Sequence, residues 1–156
     1  MTATTSTTAH GDFVIDRVYE ATPAEVWSAW TDSDTKARWF VGPEGWQLVE
    51  RSLDVRVGGI EILHGRFAQS GLETLFTARY HLVEPDARMV YVYDMHLNRR
   101  HHSVSVATVE LMAEGASTRL RFTEQVTFVD GTDGREGTAS RQRGTAAHLD
   151  RIGACL

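Results

Sequence analysis

Between Thr118 and Phe128 the chain alternates apolar and polar residues, and one carboxylate breaks the pattern. Leu120, Phe122, Val126 and Phe128 share one side of a strand, and Glu124 sits among them. Arg119, Arg121, Thr123, Gln125 and Thr127 take the other side, as in a half-buried strand of period two. A lone carboxylate on an apolar face costs on the order of several kcal/mol unless it is paired, hydrogen-bonded or placed in a wet cavity. Glu124 is therefore either a buried acid paired with an arginine from a helix or loop, or the polar point of a cavity. General acid/base work needs a second convergent acid, a nucleophile or a metal set. The sequence shows none, and no catalytic residue is assigned.

Turn signals fix what faces Glu124. A turn over 114–117 opposes Ala113 to Thr118, Val109 to Phe122, Ala107 to Glu124 and Ser105 to Val126. The same register pairs Glu110 with Arg121 on the outer face, so the apolar side and the charges agree. A turn over 84–87 opposes Leu82 to Met89, Tyr80 to Tyr91, Ala78 to Tyr93 and Phe76 to Met95. The two apolar faces coincide only if a three-residue loop or a bulge near 98–100 sets Tyr91 beside Ala107. The expected row across the sheet is Tyr80, Tyr91, Ala107, Glu124. With strands about 4.8 Å apart, Glu124 and Tyr91 stand roughly 10 Å from each other, and small Ala107 leaves space between them. Candidate ligand-binding residues are therefore Glu124, Tyr91, Tyr93, Tyr80, Ala107 and Ser105. Trp39 and Trp46, which flank the glycine-containing loop 42–45, are placed at the cavity mouth.

Other residues with chemical potential form no such set. Seven histidines make neither HExxH nor a Cys/His ligand spacing, so no metal is expected. His101 and His102 point to opposite faces of a strand, and His96 and His101 approach each other only as a surface pair. Gly58-Gly59 lacks the context of a phosphate loop. Ser103 and Ser105 have no base at fixed spacing, and nothing marks Cys155 as an activated thiol.

The elements that must position these residues are legible in order. A strand over 12–20 takes Phe13, Ile15, Val18 and Tyr19 as its apolar residues. Thr22, Pro23 and Glu25 write a capping box for a helix that buries Val26, Trp27, Ala29 and Trp30. Asp32 or Ser33 caps a second short helix ending near Trp39. Strands then run over 47–54, 59–67, 74–84, 88–95, 103–112 and 118–129, separated by turn signals. A closing helix over 140–156 presents Leu149, Ile152 and Leu156 along one side. Consecutive strands with short connections form an antiparallel meander, and the first strand brings the count to seven.

The chain has 156 residues, one domain by size, with a polar tail over 1–11 and the domain over 12–156. Its composition, 42% hydrophobic and 24% charged, is that of a globular protein. A formal charge of −5 and scattered basic residues argue against nucleic acid. The start of the chain is no signal peptide, and no run approaches the roughly 20 apolar residues of a membrane span. One cysteine allows no internal disulfide and fits a reducing compartment, so the expected location is the cytoplasm.

Together with these elements, ATPAEVWSAWTD (21–32), DVRVGG (54–59), YVYDMHL (91–97), TRLRFTEQ (118–125) and RGTAAHLDRI (143–152) resemble the START-like (SRPBCC, helix-grip) superfamily. Within it the chain is similar to the group named for the C-terminal domain of the activator of heat-shock-protein-90 ATPase. The resemblance covers residues 12–156. It implies an α+β helix-grip fold: a curved seven-stranded antiparallel sheet, two short helices after strand 1, and a long C-terminal helix covering a cavity. Members of the superfamily bind lipids, hormones and polyketides, and a few catalyse reactions. The expected function is binding of a small apolar or aromatic molecule between sheet and helix, with no cofactor and no assigned chemistry. Two alternatives stay open: an enzyme of the cyclase, dehydratase or hydrolase type using Glu124 with a tyrosine, and a chaperone-associated interaction module. A homodimer also stays open.

Overall fold

The computed structural model describes residues 7–156. In chain order it contains β1 (Ala9–Tyr19), α1 (Pro23–Thr31), α2 (Ser33–Trp39), β2 (Trp46–Ser52), β3 (Ile60–Phe67) and β4 (Glu73–Glu84). β5 (Arg88–Leu97), β6 (Arg100–Glu114), β7 (Ser117–Phe128) and α3 (Gly134–Ile152) come next, and a short 3-10 turn, Gly153–Cys155, ends the chain. The strands form one antiparallel sheet in the order β1-β7-β6-β5-β4-β3-β2. This is the expected meander, closed by pairing of β1 with β7. The first strand begins earlier than expected: Ala9, His10 and Gly11 belong to β1 and not to a tail, while residues 1–6 lie outside the described residues. Val18 also departs from expectation. It is half exposed on the outer face, and Tyr19 is buried, because strand alternation permits only one of two neighbours inside.

The first helix starts as its sequence dictates. The Thr22 hydroxyl accepts from the Glu25 backbone N–H at 3.2 Å, and Pro23 takes the first position. Asp32 ends α1 and caps α2 by accepting from Thr35 N–H at 2.9 Å. The closing helix corrects the expected start at residue 140. Asp133 accepts from Glu136 N–H at 2.9 Å, and α3 runs from Gly134. Gly134 and Gly137, poor helix formers, disguise this first turn. Gly137 is small for a reason: a Cβ there would collide with the rings and methyls of Phe128 and Thr132. Leu149 and Ile152 are buried under α3, but Leu156 lies beyond the helix and is 43% exposed, not on the apolar stripe.

The β6/β7 register is the one expected, with Ala107 opposite Glu124 and Glu110 opposite Arg121. The β4/β5 hairpin differs at its tip. Asp86 adopts a left-handed φ of 63°, and Glu84 pairs with Arg88, making a three-residue loop in place of the expected tighter turn. Val83, not Leu82, therefore faces Met89, and Leu82 faces Val90. A bulge at His81 absorbs the offset, so Tyr80 still meets Tyr91 and Ala78 meets Tyr93. A second bulge works the same way in β6. Asn98 and Arg99, both at positive φ, make a two-residue turn of the kind that suits the strand twist. The extra residue at His102 then shifts the pairing and places Tyr91 beside Ala107. Each bulge re-aims the stretch of strand beyond it.

The inner face of the sheet carries Phe13, Ile15, Val109, Leu120 and Phe122, packed with Val26, Trp27 and Trp30 of α1. Trp30 lies parallel to Phe122 at 6.4 Å between ring centres. α3 rests chiefly on β1, and the Tyr19 hydroxyl donates to the Leu149 carbonyl at 2.7 Å, pinning the end of the helix. The inner face of β3, β4 and β5 is left for a cavity.

Candidate functional site

Glu124 is fully buried, and the chain answers its charge from three elements. Its Oε2 accepts from the Tyr93 hydroxyl at 2.7 Å and from the Ser105 hydroxyl at 2.8 Å. Arg141 of α3 donates to the same oxygen through Nη1 at 3.2 Å. The guanidinium also donates to the Tyr93 oxygen at 2.8 Å and, through Nη2, to Ser103 Oγ at 2.8 Å. Charge-assisted bonds of this kind are the stronger ones in proteins. Burial alone would lower the Arg141 pKa, but the oxygens of Tyr93 and Glu124 outweigh it and hold the guanidinium above its usual value. Burial raises the Tyr93 phenol, and Glu124 beside it raises it further, so Tyr93 is a neutral donor.

The other carboxylate oxygen is not answered. Among the described residues no group donates to Glu124 Oε1, although the atom is buried. Buried acceptors without donors are rare in folded proteins. This one belongs to a residue of the wall of a cavity of about 640 Å³ between the sheet, α2 and α3. The wall is aromatic: Trp30, Trp39, Phe40, Phe76, Tyr91 and Tyr93 all contribute. Trp30 Nε1 is likewise buried without an acceptor among the described residues. Both unpartnered atoms thus belong to residues of the cavity wall.

The expected site residues divide on the structure. Glu124, Tyr91, Tyr93, Trp39 and Trp46 line this cavity. Tyr93, not Tyr91, binds Glu124, because the carboxylate leans diagonally along the sheet into the row where Tyr93 faces Ser105; long side chains reach such diagonal neighbours. Ser105 is spent within the network, and Ala107 is fully buried away from the cavity wall. Gly144 of α3 also lines the cavity, and an added Cβ there would meet nothing. Trp39 is buried, its indole donating to the Ala29 carbonyl at 2.8 Å. Trp46 is half-buried and donates to Thr74 Oγ1 at 2.9 Å. Its ring lies where side chains at Gly42 and Gly65 would otherwise stand, which is why those two positions are glycine.

Tyr80 belongs to a second polar cluster that the sequence alone does not reveal. Lys36 of α2, only 2% exposed, donates from Nζ to Glu61 Oε1 at 2.7 Å. Tyr80 donates to the same oxygen at 2.7 Å and accepts from Lys36 at 3.4 Å. Lys36 also lines the cavity. A signal does exist: Glu61 alternates with Leu63 and Gly65 on the inner side of β3. It is masked because Ile60 and Ile62 put apolar residues on the outer side as well. Arg141, too, carries a signal, since it stands on α3 in helical phase with His148, Leu149 and Ile152.

Two histidines complete the wall. The bulge at His102 turns its ring toward Asp130, with Nδ1 2.7 Å from Oδ2. Burial acts to raise Asp130, but the Thr132 hydroxyl and His102 overcome it and hold the acid below its usual range. His148 Nε2 lies 3.0 Å from the Val41 carbonyl; burial pushes its pKa down to about 4. The ring is therefore neutral at pH 7, and the carbonyl assigns its proton to Nε2. His96 and His101 stack across the hairpin at 4.7 Å. Among the described residues no group of three or more His, Cys, Asp or Glu could hold a metal ion, and no helix is long and apolar enough to cross a membrane.

Comparison with known proteins agrees with this architecture. The family model described as Activator of Hsp90 ATPase homolog 1-like protein matches residues 20–156. A solved structure from Rhizobium loti is 37% identical, with a TM-score of 0.85 over 96% of this chain and 99% of that one. A second, from Rhizobium leguminosarum, is 34% identical, with a TM-score of 0.87 over 95% of each chain. A Staphylococcus aureus structure at 18% identity and a TM-score of 0.76 covers 95% of this chain and 94% of its own, and shares the fold. No curated protein matches the chain.

Proposed function

Since the chain belongs to the Activator of Hsp90 ATPase homolog 1-like family, within a fold class that commonly holds apolar ligands, we propose that it binds a small aromatic molecule bearing a hydroxyl or N–H group. The observation that carries this reading is the unanswered, buried Oε1 of Glu124 in an aromatic wall. A ligand that donated to it would satisfy an acceptor whose burial is otherwise costly, on the order of 1–3 kcal/mol. A cavity of about 640 Å³ suits a molecule of two or three fused rings, in the range usual for small-molecule sites. Arg141, Tyr93 and Ser105 orient the acid and leave it no freedom to swing, which favours holding a ligand over moving protons. The single free cysteine, Cys155, supports a reducing compartment, and we place the protein in the cytoplasm.

Displacement of an environment-sensitive dye such as anilinonaphthalene sulfonate tests this reading. Naphthol displaces the dye from the wild-type protein and fails to do so from Gly144→Leu, which adds bulk at a residue of the cavity wall. Equal displacement from both proteins would place the binding site elsewhere.

A further inference from the structure

Of the 16 basic side chains in this sequence, Lys36 is the sole lysine; all the others are arginines. That one lysine is not on the surface. It lies in α2, 2% exposed, with Nζ 5.3 Å, 5.7 Å and 4.9 Å from the ring centres of Trp30, Trp39 and Phe40. These three rings and Lys36 itself line the cavity. Lysine differs here from the arginines used elsewhere in the chain, because an amine can lose its proton and become a nucleophile while a guanidinium stays charged. A buried lysine–carboxylate pair costs desolvation that its attraction only partly returns, so its presence beside a ligand cavity calls for a use.

We propose that Lys36 is a reactive amine, forming an imine with apolar aldehydes or ketones that enter the cavity. The step balances within the cluster. Glu61 Oε1, at 2.7 Å, takes a proton from the ammonium, and the freed nitrogen pair attacks the carbonyl carbon. As the N–C bond forms the C–O π bond breaks, and the alkoxide takes a proton from the attacking nitrogen to give a neutral carbinolamine. Glu61 then returns its proton to that hydroxyl, which leaves as water while the nitrogen pair forms the C=N bond, giving a protonated imine beside the Glu61 carboxylate. Tyr80, which donates to the same Glu61 oxygen at 2.7 Å, holds the carboxylate in place beneath the nitrogen. The surroundings favour the neutral amine: burial lowers the pKa of Lys36 against the pull of Glu61, as it does for lysines that act as nucleophiles. The inference rests on the proposed cavity function for access of the carbonyl compound.

The chain offers a clean test, since its only other amine is the N-terminus. Full-length protein is incubated with cinnamaldehyde and sodium cyanoborohydride, and the reduced adduct is mapped by peptide mass spectrometry. The same reaction is run in guanidinium chloride on unfolded protein, and cinnamyl alcohol, which cannot form an imine, is titrated separately by dye displacement. The expected result is an adduct at Lys36 that forms about tenfold or more faster in the native protein than in the unfolded one, as burial that favours the neutral amine allows. Labelling confined to the N-terminal amine, or native labelling of Lys36 no faster than unfolded, overturns the proposal. Binding of cinnamyl alcohol without Lys36 labelling overturns the imine and leaves the cavity function standing. Failure of the alcohol to bind overturns the cavity function, whatever the label shows.

Discussion

Arg141 of α3 and Glu124 of β7 meet at 3.2 Å beneath the helix, and this one contact joins the closing helix to the middle of the sheet. Three donors converge on Oε2, while Oε1 has none among the described residues. The same pairing thus fixes the helix and sets out the acceptor.

Removing either partner strands the other. Glu124→Ala leaves a largely buried guanidinium uncompensated, and Arg141→Met leaves a buried carboxylate held only by hydroxyls. Each single change should cost about 3–5 kcal/mol. The double variant should be more stable than the sum of the two losses implies, because no uncompensated charge is left. Urea unfolding of the four proteins measures this, and additive losses would show that the pair is not coupled.

Ala107 and Gly144 should respond oppositely to added volume. Ala107 is fully buried away from the cavity wall, so Ala107→Leu should overpack the core and cost about 1–3 kcal/mol. Gly144→Ala meets open space and removes a glycine from a helix interior, which should stabilise by about 0.5–1 kcal/mol. Thermal unfolding distinguishes them; a stabilised Ala107→Leu variant would mean that the space lies where the sequence alone had placed it.

His148 makes stability depend on pH with a defined sign. Its ring is held neutral in the fold, with a pKa of about 4 against an ordinary 6.5. Above pH 6.5 neither folded nor unfolded chain protonates it, and its contribution is complete. As the pH falls below 6.5 the unfolded chain takes up the proton first, so stability is lost progressively down to about pH 4. Discounted for the partial exposure of the ring, the loss between pH 7 and pH 5 should be about 1–2 kcal/mol. His148→Gln, which can still donate to the Val41 carbonyl, should lose less over the same interval. Parallel pH profiles for the two proteins would contradict the assignment.

The row Tyr80, Tyr91, Ala107, Glu124 was legible because two turns and strict alternation in β6 and β7 leave only one register that buries apolar residues together. The bulges at His81 and His102 were less so. Their effects fall on pairing and not on composition, and the one at His81 cancels a loop one residue longer than expected. The start of α3 was hidden by Gly134 and Gly137, which are there for packing and not for helix propensity. The cluster of Lys36, Glu61 and Tyr80 was hidden because it joins residues far apart in sequence across elements whose own patterns are ambiguous. Which tyrosine binds Glu124 depends on the direction a side chain leans, and strand register carries no such information.

The proposed ligand of the aromatic cavity donates a hydrogen bond to Glu124 Oε1. Calorimetric titration of the wild-type protein with naphthol and with methoxynaphthalene, which has nearly the same shape but no O–H donor, tests it most directly. Naphthol should bind about tenfold more tightly, the worth of one hydrogen bond to a buried charged acceptor. Equal affinities for the two, or tighter binding of the ether, would contradict the account.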